Sequence, residues 1–230
     1  MKVYTLINDA GHGGSDPGAI GFGQREKDWA LEASQYVNKR LNELGILSSQ
    51  TRTKDVSLNS TERTNIVKAS KAEVCLSHHY NAYMGKGEGV ETIYSIYSDD
   101  GLATKIAYAI RDVGQKFRRV FNREGKSGDY YYMHRLTGSV KTIIIEYGFI
   151  DNTTDYGKMK SIAYREKMYE AVVKVMCDYF KVAYNPIQEP KPVSSGKLFK
   201  VQVFAGSEAG ANKMIAKLKK DGYPYYIVEE

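Results

Sequence analysis

Cysteine is nearly absent from this 230-residue chain: Cys75 and Cys177 are the only two, and no second cysteine stands near either. That excludes a disulfide framework and a thiolate zinc site, and both residues read as reduced, buried thiols. Proline is sparse too, with 5 residues, and 42% apolar against 26% charged content excludes disordered and collagen-like chains. No apolar run approaches the roughly 20 residues of a membrane span. The stretch Met1 to Asp9 turns polar before a signal-peptide core of about 7–15 apolar residues can form. The protein is therefore expected to be made in the cytoplasm and to act elsewhere only after release. There is no long basic stripe either. The net charge of +6 is diffuse, and Arg118-Arg119 with Phe121 is its densest spot. The charge favours an anionic partner, but nucleic acid is not expected without a basic stripe or a recognised module.

Three of the prolines, Pro186, Pro190 and Pro192, fall close together and are followed by Ser194-Ser195-Gly196. Such a stretch reads as a linker. It divides the chain into residues 1–183, a linker at 184–196 and a tail at 197–230. In the first part, strands are predicted at 3–8, 46–51, 73–79, 90–97 and 142–145. Helices are predicted from Trp29 to Leu44 with Gly45 as the stop, over 60–69, from Leu102 to Phe117, and around Met168 to Tyr179. Strand and helix patterns in alternation predict an α/β fold, a mostly parallel or mixed sheet with helices on both faces. The tail alternates over 198–205, is amphipathic over 209–220 and alternates again over 223–228. This small βαβ module is too short to close a core alone and should pair with something.

Open α/β sheets carry their sites beyond the carboxyl ends of the strands. Three predicted strands end there in residues able to hold a metal or move a proton: Asp9-Ala10-Gly11-His12-Gly13-Gly14, Ser77-His78-His79-Tyr80-Asn81, and Ile143-Ile144-Ile145-Glu146. Glu26 opens the first helix. Taken singly, His12 is an ordinary turn histidine and Glu26 a helix-start carboxylate favoured by the dipole. His78 and His79 are neighbours on one strand, so their side chains face opposite ways and at most one can join a shared site. Glu146 follows three β-branched apolar residues, where an unpaired charge is costly, so it needs a cation nearby or a proton. Two imidazoles and one carboxylate around an open position form the zinc site of several hydrolases. Tyr80, Tyr130, Tyr131, Tyr132 and His134 lie near these segments, but with 19 tyrosines in the chain packing explains most of them.

These segments resemble the zinc-dependent N-acetylmuramoyl-L-alanine amidases of cell-wall autolysins and phage endolysins. Asp9 to Ala19 is similar to the family's D-P-G-H-G-G-x-D-x-G-A, with Ala10 in place of proline. Glu26-Lys27 matches its E-K segment, and Arg52, Ser57-Leu58 and Arg63-Thr64-Asn65 fit its middle. Ser77 to Ala82 fits S-x-H-x-N-A, and Glu146 to Asn152 fits E-x-G-F-[IL]-x-N. The resemblance implies that His12, Glu26 and His79 bind Zn2+, that Glu146 is catalytic and that Asn81 touches substrate. It also implies cleavage of the amide between N-acetylmuramic acid and the L-alanine of the stem peptide.

The expected partners are peptidoglycan and anionic wall polymers. The tail resembles half of a SPOR repeat, Leu198 to Ser207 with Ala211-Asn212 and Gly222-Tyr223, which implies wall binding or a homodimer through the C-terminal module. Two other readings use the same residues: a non-catalytic peptidoglycan-binding protein, and a zinc peptidase acting on the stem peptide.

Overall fold

The computed structural model describes residues 5–187. In chain order the elements are β1 (Leu6–Ala10), the hairpin strands β2 (Ile20–Gly21) and β3 (Gln24–Arg25), α1 (Glu26–Glu43), β4 (Ser48–Gln50), α2 (Ser60–Ser70), β5 (Val74–Asn81) and β6 (Val90–Ile93). There follow α3 (Gly101–Asp112), β7 (Phe117–Phe121), the hairpin strands β8 (Glu124–Gly125) and β9 (Gly128–Asp129), α4 (Tyr132–Arg135), β10 (Lys141–Phe149), α5 (Thr153–Met159) and α6 (Ile162–Phe180). Six strands form the central sheet in the order β4-β1-β5-β10-β6-β7. The first four run parallel, β6 is antiparallel to β10, and β7 is parallel to β6. The fold is thus α/β with a mixed sheet, as expected.

Side-chain alternation along the strands sends the two faces into two cores. Leu6, Leu76, Ile143 and Ile145 pack with the apolar stripes of α1, α3 and α6. Ile7, Cys75 and Ile144 face the other way, against Val67 of α2 and Met133 of α4. The two cysteines are buried in different cores, Cys75 with α2 and α4 and Cys177 with α6.

Local signals set most boundaries. Asn59 and Glu62 form a reciprocal capping box at the start of α2. Gly45, at φ 85°, follows α1. Two expectations need correction. The third helix was predicted to run to Phe117 but stops at Asp112, because Gly114 at φ 108° turns the chain; Phe117–Phe121 is instead the edge strand β7. The strand predicted over 90–97 ends at Ile93. Tyr184, at the head of the predicted linker, donates its hydroxyl to Glu170 at 2.9 Å, and Arg40 donates to the Asn185 carbonyl at 3.0 Å. The rest of that linker from residue 188, and the βαβ tail, lie outside the described residues.

Candidate functional site

The chain leaves β1 at Ala10 and enters a turn in which His12 itself has a left-handed φ of 57°. A non-glycine residue rarely holds that conformation, and a rigid surround must maintain it. Two buried arginines supply the surround. Arg63 donates to the His12 carbonyl at 2.7 Å, and Arg52 donates to the Gly11 carbonyl at 2.8 Å and the Lys27 carbonyl at 2.9 Å. Two glycines leave room for the side chains of the site. A Cβ on Gly11 would stand 2.3 Å from the His79 ring, and one on Gly18 would stand 2.5 Å from Glu26 Oε2.

Glu26 is the first residue of α1, where the helix dipole favours a carboxylate. It is 4% exposed, and its two oxygens point to two different rings. Oε2 lies 3.0 Å from His12 Nε2 and Oε1 lies 2.8 Å from His79 Nδ1. The backbone N–H groups of Ala19 and Tyr80 donate to the same two oxygens at 2.7 and 3.0 Å. Asp16 lies 2.8 Å from His12 Nδ1, which orients that ring and turns Nε2 toward Glu26. One donor atom from each of His12, Glu26 and His79 lies within 4.8 Å of the others. Two imidazole nitrogens and a carboxylate, with both rings partly open to solvent, fit a divalent transition metal such as zinc.

Electrostatics follow from this packing. Burial alone would raise the Glu26 carboxyl, but the hydrogen bonds and charge of His12 and His79 outweigh it and hold the group well below the usual carboxylate range. Burial alone would lower His12, but Glu26 and Asp16 outweigh it and raise the imidazole to about 9. Glu146 is pushed the other way. Burial first, then the charges of Glu26 and Glu91, raise it well above an ordinary glutamate, and its Oε2 is out of solvent contact with no hydrogen-bond partner among the described residues.

The sheet explains why these groups are neighbours. His79 on β5 is in register with Glu146 on β10, Glu146 with Glu91 on β6, and Glu91 with Arg119 on β7. Cross-strand partners share a face at a spacing of about 4.8 Å. One row therefore runs from the His-Glu-His cluster outward to the sheet edge.

The other sequence candidates fall differently. His78 is fully buried on the opposite face, with Nδ1 3.0 Å from the Tyr147 hydroxyl and Nε2 3.0 Å from Asn8 Oδ1. Burial lowers it to about 3, so it is a neutral core histidine, and of the adjacent pair only His79 joins the cluster. Asn81 has its carboxamide engaged at both ends, donating to Glu91 at 3.0 Å and accepting from the Ala82 N–H at 2.8 Å. Tyr80 is buried against Tyr169, His134 is buried with neither ring nitrogen bonded among the described residues, and Tyr130 is exposed. Tyr131 is half-buried near Glu146, and burial and that charge raise its phenol.

Sequence reasoning assigned no role to Asp16 or Glu91. Asp16 stands four residues from His12, within reach of its ring, and Glu91 is a lone acid inside the apolar strand Val90-Glu91-Thr92-Ile93. Those were the available signals.

Known proteins are similar to this chain in sequence and fold. The family model described as N-acetylmuramoyl-L-alanine amidase matches residues 7–178. The amidase CwlM of Bacillus licheniformis is 31% identical over 234 residues, spanning 98% of this chain and 85% of its own. LytC, an amidase of Bacillus subtilis, is 29% identical over 77% of this chain, which in turn spans 36% of LytC. The structure of the amidase AmiC2 of Nostoc punctiforme is similar with a TM-score of 0.70 at 26% identity, over 77% of this chain and 97% of that one. Among the described residues no helix is long and apolar enough to cross a membrane. With the match running from the first strand to the last helix, this chain belongs to the N-acetylmuramoyl-L-alanine amidase family.

Proposed function

We propose that this chain hydrolyses the amide joining the lactyl group of N-acetylmuramic acid to the L-alanine of the stem peptide, with Zn2+ held by His12, Glu26 and His79 and with Glu146 as general base and acid. The observation that carries the reading is Glu146: a half-buried residue whose Oε2 is out of solvent contact and has no hydrogen-bond partner among the described residues, in cross-strand register with His79 of a His-Glu-His cluster. A zinc ion bound there supplies a Lewis acid that acidifies water and polarises the scissile carbonyl.

The residues of the chain do the rest. His12 and His79 bind through nitrogens already aimed at Glu26, and Asp16 keeps the His12 ring from turning away. Glu146 accepts a proton from the attacking water and passes it to the departing alanine nitrogen. The match with CwlM covers 98% of this chain and so extends into the tail; the wall-binding or dimerising role proposed for residues 197–230 rests on the SPOR-like sequence alone.

The test is incubation of zinc-loaded protein with purified peptidoglycan and mass spectrometry of the new ends, beside a chelated control. The expected result is new amino-terminal L-alanine with intact glycan chains, lost on chelation and restored by zinc. Cleavage inside the stem peptide would make the protein a zinc peptidase instead. Binding with no new ends would make it a non-catalytic wall-binding protein.

A further inference from the structure

The outer end of the cross-strand row carries a device that the reaction above does not use. Between β6 and β7 the register slips by one: Val90 pairs with Phe117, but Glu91 pairs with Arg119, leaving Arg118 as the extra residue of a β-bulge. In an unbroken strand Arg118 and Arg119 would face opposite ways. Across the bulge both reach one oxygen, each donating its Nε to Glu91 Oε1 at 2.7 Å. Asn81 donates to the other oxygen at 3.0 Å. Each guanidinium is also seated on a ring, Arg118 at 5.1 Å from the Phe149 centroid and Arg119 at 4.0 Å from that of Phe121.

This is more cation than Glu91 needs. A single arginine would pair a buried carboxylate, yet two converge here and leave the group with a net positive charge. Glu91 is 1% exposed at its side chain, whereas Arg118 is 35% and Arg119 53% exposed. Among the described residues the terminal guanidinium nitrogens of both donate to no protein acceptor. Two anchored guanidiniums with free outer nitrogens suit a planar carboxylate. The distance also fits. Two strand spacings, about 10 Å, separate β10 from β7, and each extended peptide residue spans about 3.5 Å. A stem peptide that leaves Glu146 outward along this row brings the residue after the L-alanine to the arginines.

We propose that Arg118 and Arg119 form a carboxylate-binding subsite for the stem peptide, taking a free carboxylate on the residue that follows the L-alanine, with Glu91 as the positioning residue that holds both arginines. The proposal rests on the amidase reading for its substrate.

Two synthetic N-acetylmuramoyl-L-alanyl peptides test it, alike except that the next residue carries either a free carboxylate or a carboxamide. Their Kd values are measured by calorimetry on the zinc-loaded, full-length Glu146→Gln protein, and their turnover on the wild type. The carboxylate peptide is expected to bind about tenfold more tightly, the equivalent of one charge-assisted hydrogen bond. Arg119→Gln, which leaves Arg118 to neutralise Glu91, is expected to remove most of that preference while the melting temperature shows the fold intact. Equal Kd values in the Glu146→Gln protein with both arginines present, or a preference that survives both Arg119→Gln and Arg118→Gln, would overturn the subsite whatever the turnover. A clear preference with no cleavage of either peptide by the wild type would instead overturn the amidase reading and leave the subsite standing.

Discussion

Two buried carboxylates lie close to His12, and they are held in opposite ways. Asp9 has no spare capacity: Oδ1 accepts from Arg63 at 2.6 Å and Thr51 at 2.8 Å, and Oδ2 accepts from Ser77 at 2.7 Å. None of these four residues is more than 7% exposed. Glu26 is met instead by imidazoles that reach the surface, His12 at 25% and His79 at 20% side-chain exposure, and Glu146 beside them keeps an oxygen with no partner among the described residues. A polar cluster whose every atom is satisfied by fixed protein groups shapes a loop. A cluster with donors left over can hold an ion and move a proton. The adjacent histidines of β5 repeat the contrast, His78 bonded through both nitrogens in the core and His79 aimed at the site.

Exchanging one group at a time should break this contrast in a graded way. The largest effect is expected from Glu146→Gln, with turnover on peptidoglycan falling by about 10²–10⁴-fold while zinc content by elemental analysis stays at the wild-type level. Unchanged turnover would remove Glu146 from catalysis. On the closed side, Arg63→Ala strands the Asp9 charge and should cost about 3–5 kcal/mol of stability in denaturant unfolding. A loss under 1 kcal/mol would show that Asp9 does not depend on its partner.

Asp16→Asn weakens only the support of one ligand ring, and zinc affinity by competitive titration should fall by about 10–100-fold. No change would mean the His12 ring is held by packing alone. The smallest effect is a slope. His78 is lowered to about 3 in the folded protein against 6.5 when unfolded, so its contribution is complete above 6.5 and is lost as pH falls from 6.5 toward 3. Between about pH 6 and pH 4 it should remove close to 1.4 kcal/mol per pH unit, an increment absent from His78→Gln. Parallel pH curves for the two proteins would contradict a neutral buried His78.

Much of the site is legible residue by residue. His12 stands clear in a glycine turn, Glu146 follows three β-branched residues where a charge needs a reason, and the family resemblance, registered on Asn81, selects His79 over His78. Alternation alone says that only one of the paired histidines can serve. Phe117–Phe121 was not legible as a strand, because Phe117 continues the spacing of α3 and the turn at Gly114 leaves little other mark. Glu91 was not legible as part of the site, since its significance depends on lying opposite both Glu146 and Arg119.

The division has a physical cause. Periodicity, glycine placement and residue chemistry are local properties, so the sequence by itself determined the α/β class and most of the elements, and its motifs singled out His12, Glu26, His79 and Glu146 as candidates through a family resemblance. Register between strands distant in sequence is not local. Only the tertiary structure decided that His79, Glu146, Glu91 and Arg119 share one row. It also decided that a one-residue bulge turns two consecutive arginines onto one carboxylate. Such pairings are set by how the two cores pack on either side of the sheet, and no stretch of sequence contains them alone.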